Sequence, residues 1–345
     1  MPSYGIGDAD AHVFNCPVCA RPLPDGGVKV AWQLGRDSIE LRVTDGGSAE
    51  SPLVSAVSGD VSPVSRDVSD VSAVSPGSSL AAGNQAFDGP LQRPAGARLV
   101  WQDEFDGTAL DPAKWAYDTE RNALGWYNNE LQYYSAGRTE NSRVSGGILT
   151  IEARRERLDR SKFPDWGGQN YTSARLLSVG AGAWTYGFYE IRAKLPCARG
   201  TWPAIWMLPV DMKKWPDDGE IDIMEHIGVD PTVIHATLHT GLFNHAIKTQ
   251  RGASKRLPTS CTQFHRYQLD WRPDRITIGF DDRAFMRVLN DRPGGKGAWP
   301  FNVPFRMILN LAIGGDWAGT KGVDDAALPQ RLEVDYVRVW QLPPS

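Results

Sequence analysis

Residues 186–195, YGFYEIRAKL, place apolar side chains at Tyr189, Ile191, Ala193 and Leu195 and charged ones at Glu190, Arg192 and Lys194. A period of two is the signature of an extended strand with one face in a core and the other in water. Outward from this stretch the same texture recurs in GILTIEAR, EIDIMEH, VIHATLHT, YQLDWRP, RITIGFDD, FRMILNLAI and LEVDYVRVW, each bounded by Gly, Pro, Asn or Asp. Many short strands with turn residues between them, and no long stretch of apolar residues at helical spacing, predict an all-β sandwich or jelly roll spanning residues 93–343.

The chain ahead of that domain reads differently. Within residues 45–92, the segment GGSAESPLVSAVSGDVSPVSRDVSDVSAVSPGSSLAAGN is a Val/Ser tract interrupted by Pro63 and Pro76. Its valines recur at steps of three and four, yet serine between them and the lack of large side chains leave no face to pack, so a disordered linker is expected. Residues 1–44 form an N-terminal segment of unknown role, in which VKVAWQLGRDSIELRV has the pattern of two short strands. Forty-odd residues without a staple make a marginal domain, so the region before the sandwich is read as largely disordered.

Composition narrows the function. A formal net charge of −4 and no block of Lys or Arg argue against a polyanionic partner such as nucleic acid. No 18-residue apolar run is present, so no spanning helix is expected, and the first 30 residues contain no legible secretory signal. Thirteen Trp, twelve of them from Trp101 onward, exceed what core filling requires. Cys16 and Cys19, in CPVC, have the spacing of half a zinc knuckle whose other half is missing; Cys197 and Cys261 stand alone in sequence, and a disulfide between them is one reading.

The chemistry concentrates in residues 217–228, DDGEIDIMEHIG. In a regular strand Glu220 and Asp222 share a face while Ile221 and Ile223 point into the core, which would turn Glu225 the wrong way. A β-bulge at Ile223 or Met224 shifts the alternation by one and returns Glu225 to the other two acids. A solvated acidic edge is the plainer alternative. Three carboxyls crowded on one face of a well-packed strand, however, cannot all ionise at neutral pH, and one ionised carboxylate beside one protonated acid is what glycoside hydrolysis needs. Retaining hydrolysis requires the two carboxyls about 5–5.5 Å apart, a spacing that neighbours on one strand meet more readily than the wider gap of inversion.

GEIDIMEH resembles the active-site strand of glycoside hydrolase family 16 in the bulged form of its laminarinase-like members. WQDEFDG, GWYNNELQYY, YTSARL, WTYGFYEIRAKLP, GTWPAIWMLP, IHATLHTGLFNH, ILNLAIGGDW and VDYVRVW are similar to further family segments, in the family's order. The resemblance implies a jelly roll of two curved antiparallel sheets with a concave substrate cleft, and a retaining endo-β-1,3-glucanase acting on laminarin-type glucan, with mixed β-1,3-1,4-glucan as a further substrate. It implies double displacement with Glu220 as nucleophile, Asp222 as its assisting carboxylate and Glu225 as general acid/base. A transglycosylase on the same scaffold and a non-catalytic β-glucan recognition protein are the alternatives.

Pyranose rings present apolar faces that stack on indoles. Trp202 and Trp206, four apart in a strand, face one side, although a pair of core tryptophans would look the same. The resemblance places at least one of them in the cleft and adds Trp126, Asn128, Asn129, Arg175 and Trp317 as glucan contacts, with His239 near the scissile bond. His235 and His239 lack a metal-binding pattern, and no catalytic cofactor is expected. A structural calcium, implied by the family alone, would use Glu104, Gly147 and Asp335. Gly241, where a larger residue is usual, is expected to widen a product-side subsite. The implied partner is a β-glucan polysaccharide, met by a monomer outside the cytoplasm or in a periplasm.

Overall fold

The computed structural model describes residues 85–291 and 293–341, together with the backbone of strands Val18–Pro22, Val28–Leu34 and Asp37–Val43. The chain divides into two compact units, 1–76 and 77–345. In the first, the three strands form an antiparallel meander with Pro22 opposite Val28 and Leu34 opposite Asp37. The two strands expected in VKVAWQLGRDSIELRV pair with each other, and a third, Val18–Pro22, is added before them. The Val/Ser tract up to Asn84 and the side chains of Cys16 and Cys19 lie outside the described residues.

The second unit starts earlier than residue 93. Ala86–Pro90 is a strand paired antiparallel with Arg283–Leu289, so the last part of the expected linker belongs to the sandwich. Phe87 lies under the Arg287 guanidinium, 3.6 Å from the ring centre, and Leu91 is buried in a small cluster with Phe188, Ala284 and Trp340. Tertiary contacts, absent from any local pattern, hold this strand.

Two sheets make the sandwich. The larger runs from Ala86–Pro90 through Arg283–Leu289, Arg275–Phe280, His265–Trp271, Gly187–Lys194, Gln330–Gln341 and Ile148–Arg155 to Tyr171–Ser173 and Gln132–Tyr134. The smaller orders Arg251–Arg256, Val233–His239, Glu220–Glu225, Thr201–Pro209, Phe305–Ile313, Arg175–Ser178 and Trp115–Tyr117. Apart from the parallel pairing of Tyr171–Ser173 with Gln132–Tyr134, the ladders are antiparallel. As the period-two pattern predicts, Tyr189, Ile191, Ala193 and Leu195 face inward, meeting Ile205, Met207, Ile221, Ile223 and Leu309 from the smaller sheet in one core. Each fully buried Ile, Leu or Met contributes about 2 kcal/mol, so the apolar pattern of each strand sets which of its faces turns inward. Among the described residues no helix is long and apolar enough to cross a membrane.

Candidate active site

The acidic strand Glu220–Glu225 lies in the middle of the smaller sheet, between the tryptophan strand Thr201–Pro209 and the histidine strand Val233–His239. Gly219 turns the chain into it at φ 94, where an added Cβ would sit 2.7 Å from Pro300 Cγ; only glycine fits there. Glu220 pairs with His239 and Asp222 with Thr237, but the next pair is Glu225 with His235, so three steps on the acidic strand match two on its neighbour. On the other side Trp206 opposes Asp222 and Ile205 opposes Met224, leaving Ile223 as the extra residue. This is the expected bulge. Ile221, Ile223 and Met224 are completely buried in the core, and Glu220, Asp222 and Glu225 turn to the opposite face.

That face is the floor of a cleft with two lobes, of about 420 and 730 Å³. The first is lined by Trp206, Arg175, Glu130 and Trp215, among others, and the second by His235, His239, Gln250 and Trp317. Glu220, Glu225, Trp202, Asn128 and His245 line both. The carboxyls therefore sit where the lobes meet, and a polymer can continue past them on either side. Ala204, directly opposite Glu225, keeps the floor open between the indoles of Trp202 and Trp206.

Two indole N–H groups hold the glutamates: Trp215 Nε1 donates to Glu220 Oε2 at 2.8 Å, and Trp202 Nε1 to Glu225 Oε1 at 3.1 Å. His239 Nε2 lies 3.4 Å from Asp222 Oδ2 and 3.9 Å from Glu220 Oε1. The buried Oδ2 of Asp222 has no hydrogen-bond partner. Among the described residues neither Lys nor Arg makes an ion pair with any of the three acids, and desolvation dominates. Burial, reinforced by the charge of Asp222 and eased by His239 and Trp215, pushes Glu220 up to about 8. Burial pushes Glu225 up to about 7 despite His239, and drives Asp222 well above the carboxylate range, helped by the charge of Glu225. The three titrate as one unit, holding at least one proton at neutral pH.

The two aromatic residues of the tryptophan strand do face the cleft, and each has a polar anchor. Trp206 Nε1 donates to Asn310 Oδ1 at 2.7 Å, and Trp202 meets Trp317 edge to face with ring centres 5.4 Å apart. Arg175 pairs with Asp118 at 2.8 Å and lies between the rings of Trp126 and Trp206, 5.1 and 4.8 Å from their centres. Trp126 touches the cleft but is 5% exposed and donates to Asn122 Oδ1, so it supports Arg175 more than it offers a free stacking face. Asn129 does not line either lobe. Its amide donates to both carboxylate oxygens of Asp316 at 2.8 and 3.0 Å, tying two loops together, while its neighbour Asn128 lines both lobes.

Gly241 is also elsewhere: an added Cβ would meet Asp217 Oδ1 at 3.1 Å, in the loop packing and not in the cleft. Trp215, Glu130 and His245 line the cleft without having been singled out from sequence. Glu130, pushed up by burial against the pull of Gln132 and Arg175, adds a further acid to the first lobe. His245 stacks at a tilt on Trp215, ring centres 4.9 Å apart. Trp215 sits in a loop, Glu130 in an isolated bridge and His245 at the start of a one-turn 3-10 helix, where no periodicity marks the direction of a side chain.

The positions implied for calcium carry a different charge balance. Both carboxylate oxygens of Glu104 accept from Arg338, at 2.7 and 2.8 Å, and Asp335 pairs with Arg192. Gly147 occupies a hairpin turn at φ 77. The family site would draw on backbone oxygens and one Asp, so these pairs engage only the Asp335 carboxylate of that set and leave the backbone oxygens of Glu104 and Gly147 untouched. Cys197 and Cys261, by contrast, are joined as a disulfide.

Comparison with known proteins agrees with this geometry. The model of glycosyl hydrolases family 16 matches residues 129–338. The beta-glucanase of Rhodothermus marinus is 51% identical over 252 residues, covering 70% of this chain and 85% of that protein. Glucan endo-1,3-beta-glucosidase A1 of Niallia circulans is 36% identical over 72% of this chain, which spans 38% of that longer protein. Among solved structures, SCLam, a non-specific endo-beta-1,3(4)-glucanase, aligns with a TM-score of 0.72 at 52% identity, covering 76% of this chain and 97% of that one. The laminarinase of Rhodothermus marinus aligns at 0.67 and 50% identity, over 72% and 98%.

Proposed function

The chain belongs to glycosyl hydrolases family 16 and is a glycoside hydrolase; from that premise we propose that it cleaves β-1,3-glucan internally, with retention of anomeric configuration. The observation that carries the reading is the bulge, which sets Glu225 beside Glu220 and Asp222 at the junction of the two cleft lobes. In this reading Glu220 attacks the anomeric carbon while Glu225 gives its proton to the departing glycosidic oxygen. Glu225, now ionised, then takes a proton from the water that releases the glucosyl–enzyme ester.

The surroundings support that division of labour. The Trp215 N–H fixes the carboxylate of Glu220 and favours its charged form. Asp222 and Glu220 share a hydrogen bond within the coupled cluster, and in this reading the shared proton rests on Asp222 at the moment Glu220 attacks, because only the ionised carboxylate is a nucleophile. Glu225, raised to about 7, can hold a proton at neutral pH and still release it. Trp202 both donates to Glu225 and offers an indole edge to the sugar path, so it positions the acid relative to the ring it protonates.

Laminarin-type glucan is the preferred substrate, with mixed β-1,3-1,4-glucan accepted, in line with the names of the relatives. The polymer is too large to enter a cell intact, and a disulfide persists in oxidising compartments, which supports action outside the cytoplasm. The test is product analysis of purified protein on laminarin, curdlan, lichenan and agarose, with the first-formed anomer read by proton NMR. Internal cleavage of laminarin giving the β-anomer first is expected; an α-anomer first would reject retention, and activity on agarose alone would reject the substrate.

A further inference from the structure

At the C-terminal end of the acidic strand lies a second chemically distinctive cluster. His226 follows Glu225 directly, and its backbone N–H donates to Pro203 O at 3.3 Å, so the ring is fixed at the end of the strand. The ring is completely buried. Its Nε2 lies 3.8 Å from Cys197 Sγ. The carbonyl oxygen of Pro231, in the loop that follows, lies 3.9 Å from Cys197 Sγ and 3.5 Å from Cys261 Sγ. One nitrogen and the two sulfurs all fall within 4.8 Å of one another.

We propose that reduction of the Cys197–Cys261 disulfide converts this cluster into a tetrahedral zinc site, with two thiolates, the imidazole of His226 and the carbonyl oxygen of Pro231 as ligands. A tetrahedral ion with Zn–S near 2.3 Å and Zn–N or Zn–O near 2.0–2.1 Å separates sulfur from nitrogen or oxygen by about 3.5 Å. Three separations, Cys197 Sγ to His226 Nε2 and each sulfur to Pro231 O, lie between 3.5 and 3.9 Å. The two sulfurs must also part, to about 3.8 Å, by rotation about the Cα–Cβ bonds. Bonded to each other, the sulfurs carry no charge and ligate weakly; as thiolates they neutralise the ion.

The chemistry balances with a water-soluble phosphine as reductant. The S–S bond breaks, phosphorus takes an oxygen from water and becomes the phosphine oxide, and the two protons of that water go to the sulfurs. Zinc binding then returns those two protons to solvent.

The experiment uses the full chain carrying Cys16→Ser and Cys19→Ser, so that Cys197 and Cys261 are its only thiols. After phosphine reduction, titration with Co²⁺ should give one ion per chain, with thiolate-to-cobalt charge transfer and the intense visible bands of tetrahedral cobalt. One Zn²⁺ should displace it, and the disulfide form should take up none. His226→Gln should weaken Co²⁺ binding at least about tenfold, since loss of a mere supporting partner already costs that much. X-ray absorption at the zinc edge gives an independent count, expected to show two sulfurs and one imidazole. The proposal is overturned if the reduced chain shows no thiolate band, if Cys197→Ser with Cys261→Ser leaves the stoichiometry unchanged, if the edge spectrum lacks imidazole, or if reduction abolishes the near-UV circular dichroism of the folded state.

Discussion

Glu152 in the larger sheet and Asp222 in the smaller are both almost completely buried carboxylic acids, at 1% and 3% exposure, yet their surroundings are opposite in sign. Around Glu152 stand three guanidinium groups, those of Arg143, Arg154 and Arg331, two of them at 2.8 Å. Burial pushes Glu152 up, but the hydrogen bonds and charges of Arg143 and Arg331 outweigh it, and the net displacement is downward. Around Asp222 stand two more acids and one histidine, and every acid of that group is displaced upward. The difference teaches that burial alone does not mark a reactive group. A compensated buried charge stabilises the sandwich, whereas an uncompensated cluster costs stability and keeps protons ready for transfer.

Substitutions at the two places should therefore behave differently. The largest effect is expected from Glu220→Ala, which should lower kcat on laminarin by at least about 10⁴-fold, while azide restores turnover and forms the inverted α-glucosyl azide. Recovery of the β-azide, or activity unchanged from wild type, would break the assignment. Glu225→Ala follows, at about 10³-fold on laminarin but far less on an aryl glucoside whose leaving group needs no proton. Because the acid must be protonated, wild-type kcat/KM should fall as pH rises through about 7, and that limb should vanish in Glu225→Ala assayed with the aryl substrate.

On the other sheet, Glu152→Ala should leave kcat intact well below the melting temperature. It strands three arginines around an apolar gap, and because those arginines are partly solvated the loss of stability should be about 2 kcal/mol, read from urea unfolding. The smallest and most diagnostic change is Glu220→Gln, which should stabilise the fold while removing activity. The folded carboxyl binds its proton more tightly than the unfolded one, with values of about 8 against 4.5, so wild type loses stability as pH rises across that window. The advantage of the Gln variant should be near zero at pH 4 and grow steadily as pH rises towards 8. Equal advantage at both pH values would show that the carboxyl is not uncompensated after all.

The bulge was legible because three acids at positions 220, 222 and 225 cannot share a face of a regular strand, and the conflict has one local remedy. The Trp202 and Trp206 placement was legible for the same reason, a fixed period along an extended chain. Ala86–Pro90 was not: among Gly, Asp and Pro it carries one large apolar residue, Phe87, and it is a strand because Arg283–Leu289 offers a ladder and Arg287 a cover. Trp215 escaped notice because it lies in the loop KKWPDD, where only the folded path brings an indole N–H to Glu220. Asn129 was misread by its neighbour's logic; both asparagines adopt positive φ, and the turn sets one against the cleft and ties the other to Asp316.

The continuation of the cleft beyond the carboxyls on both sides governs how a glucan solution would change in bulk. A groove open at each end does not register chain termini, so any interior bond of a strand lying along it is as eligible as another. Early cuts then fall near the middle of long molecules as often as near their tips, halving lengths before many fragments exist. Viscosity collapses while the yield of new reducing sugars is still slight, and thick glucan gels soften long before they are digested.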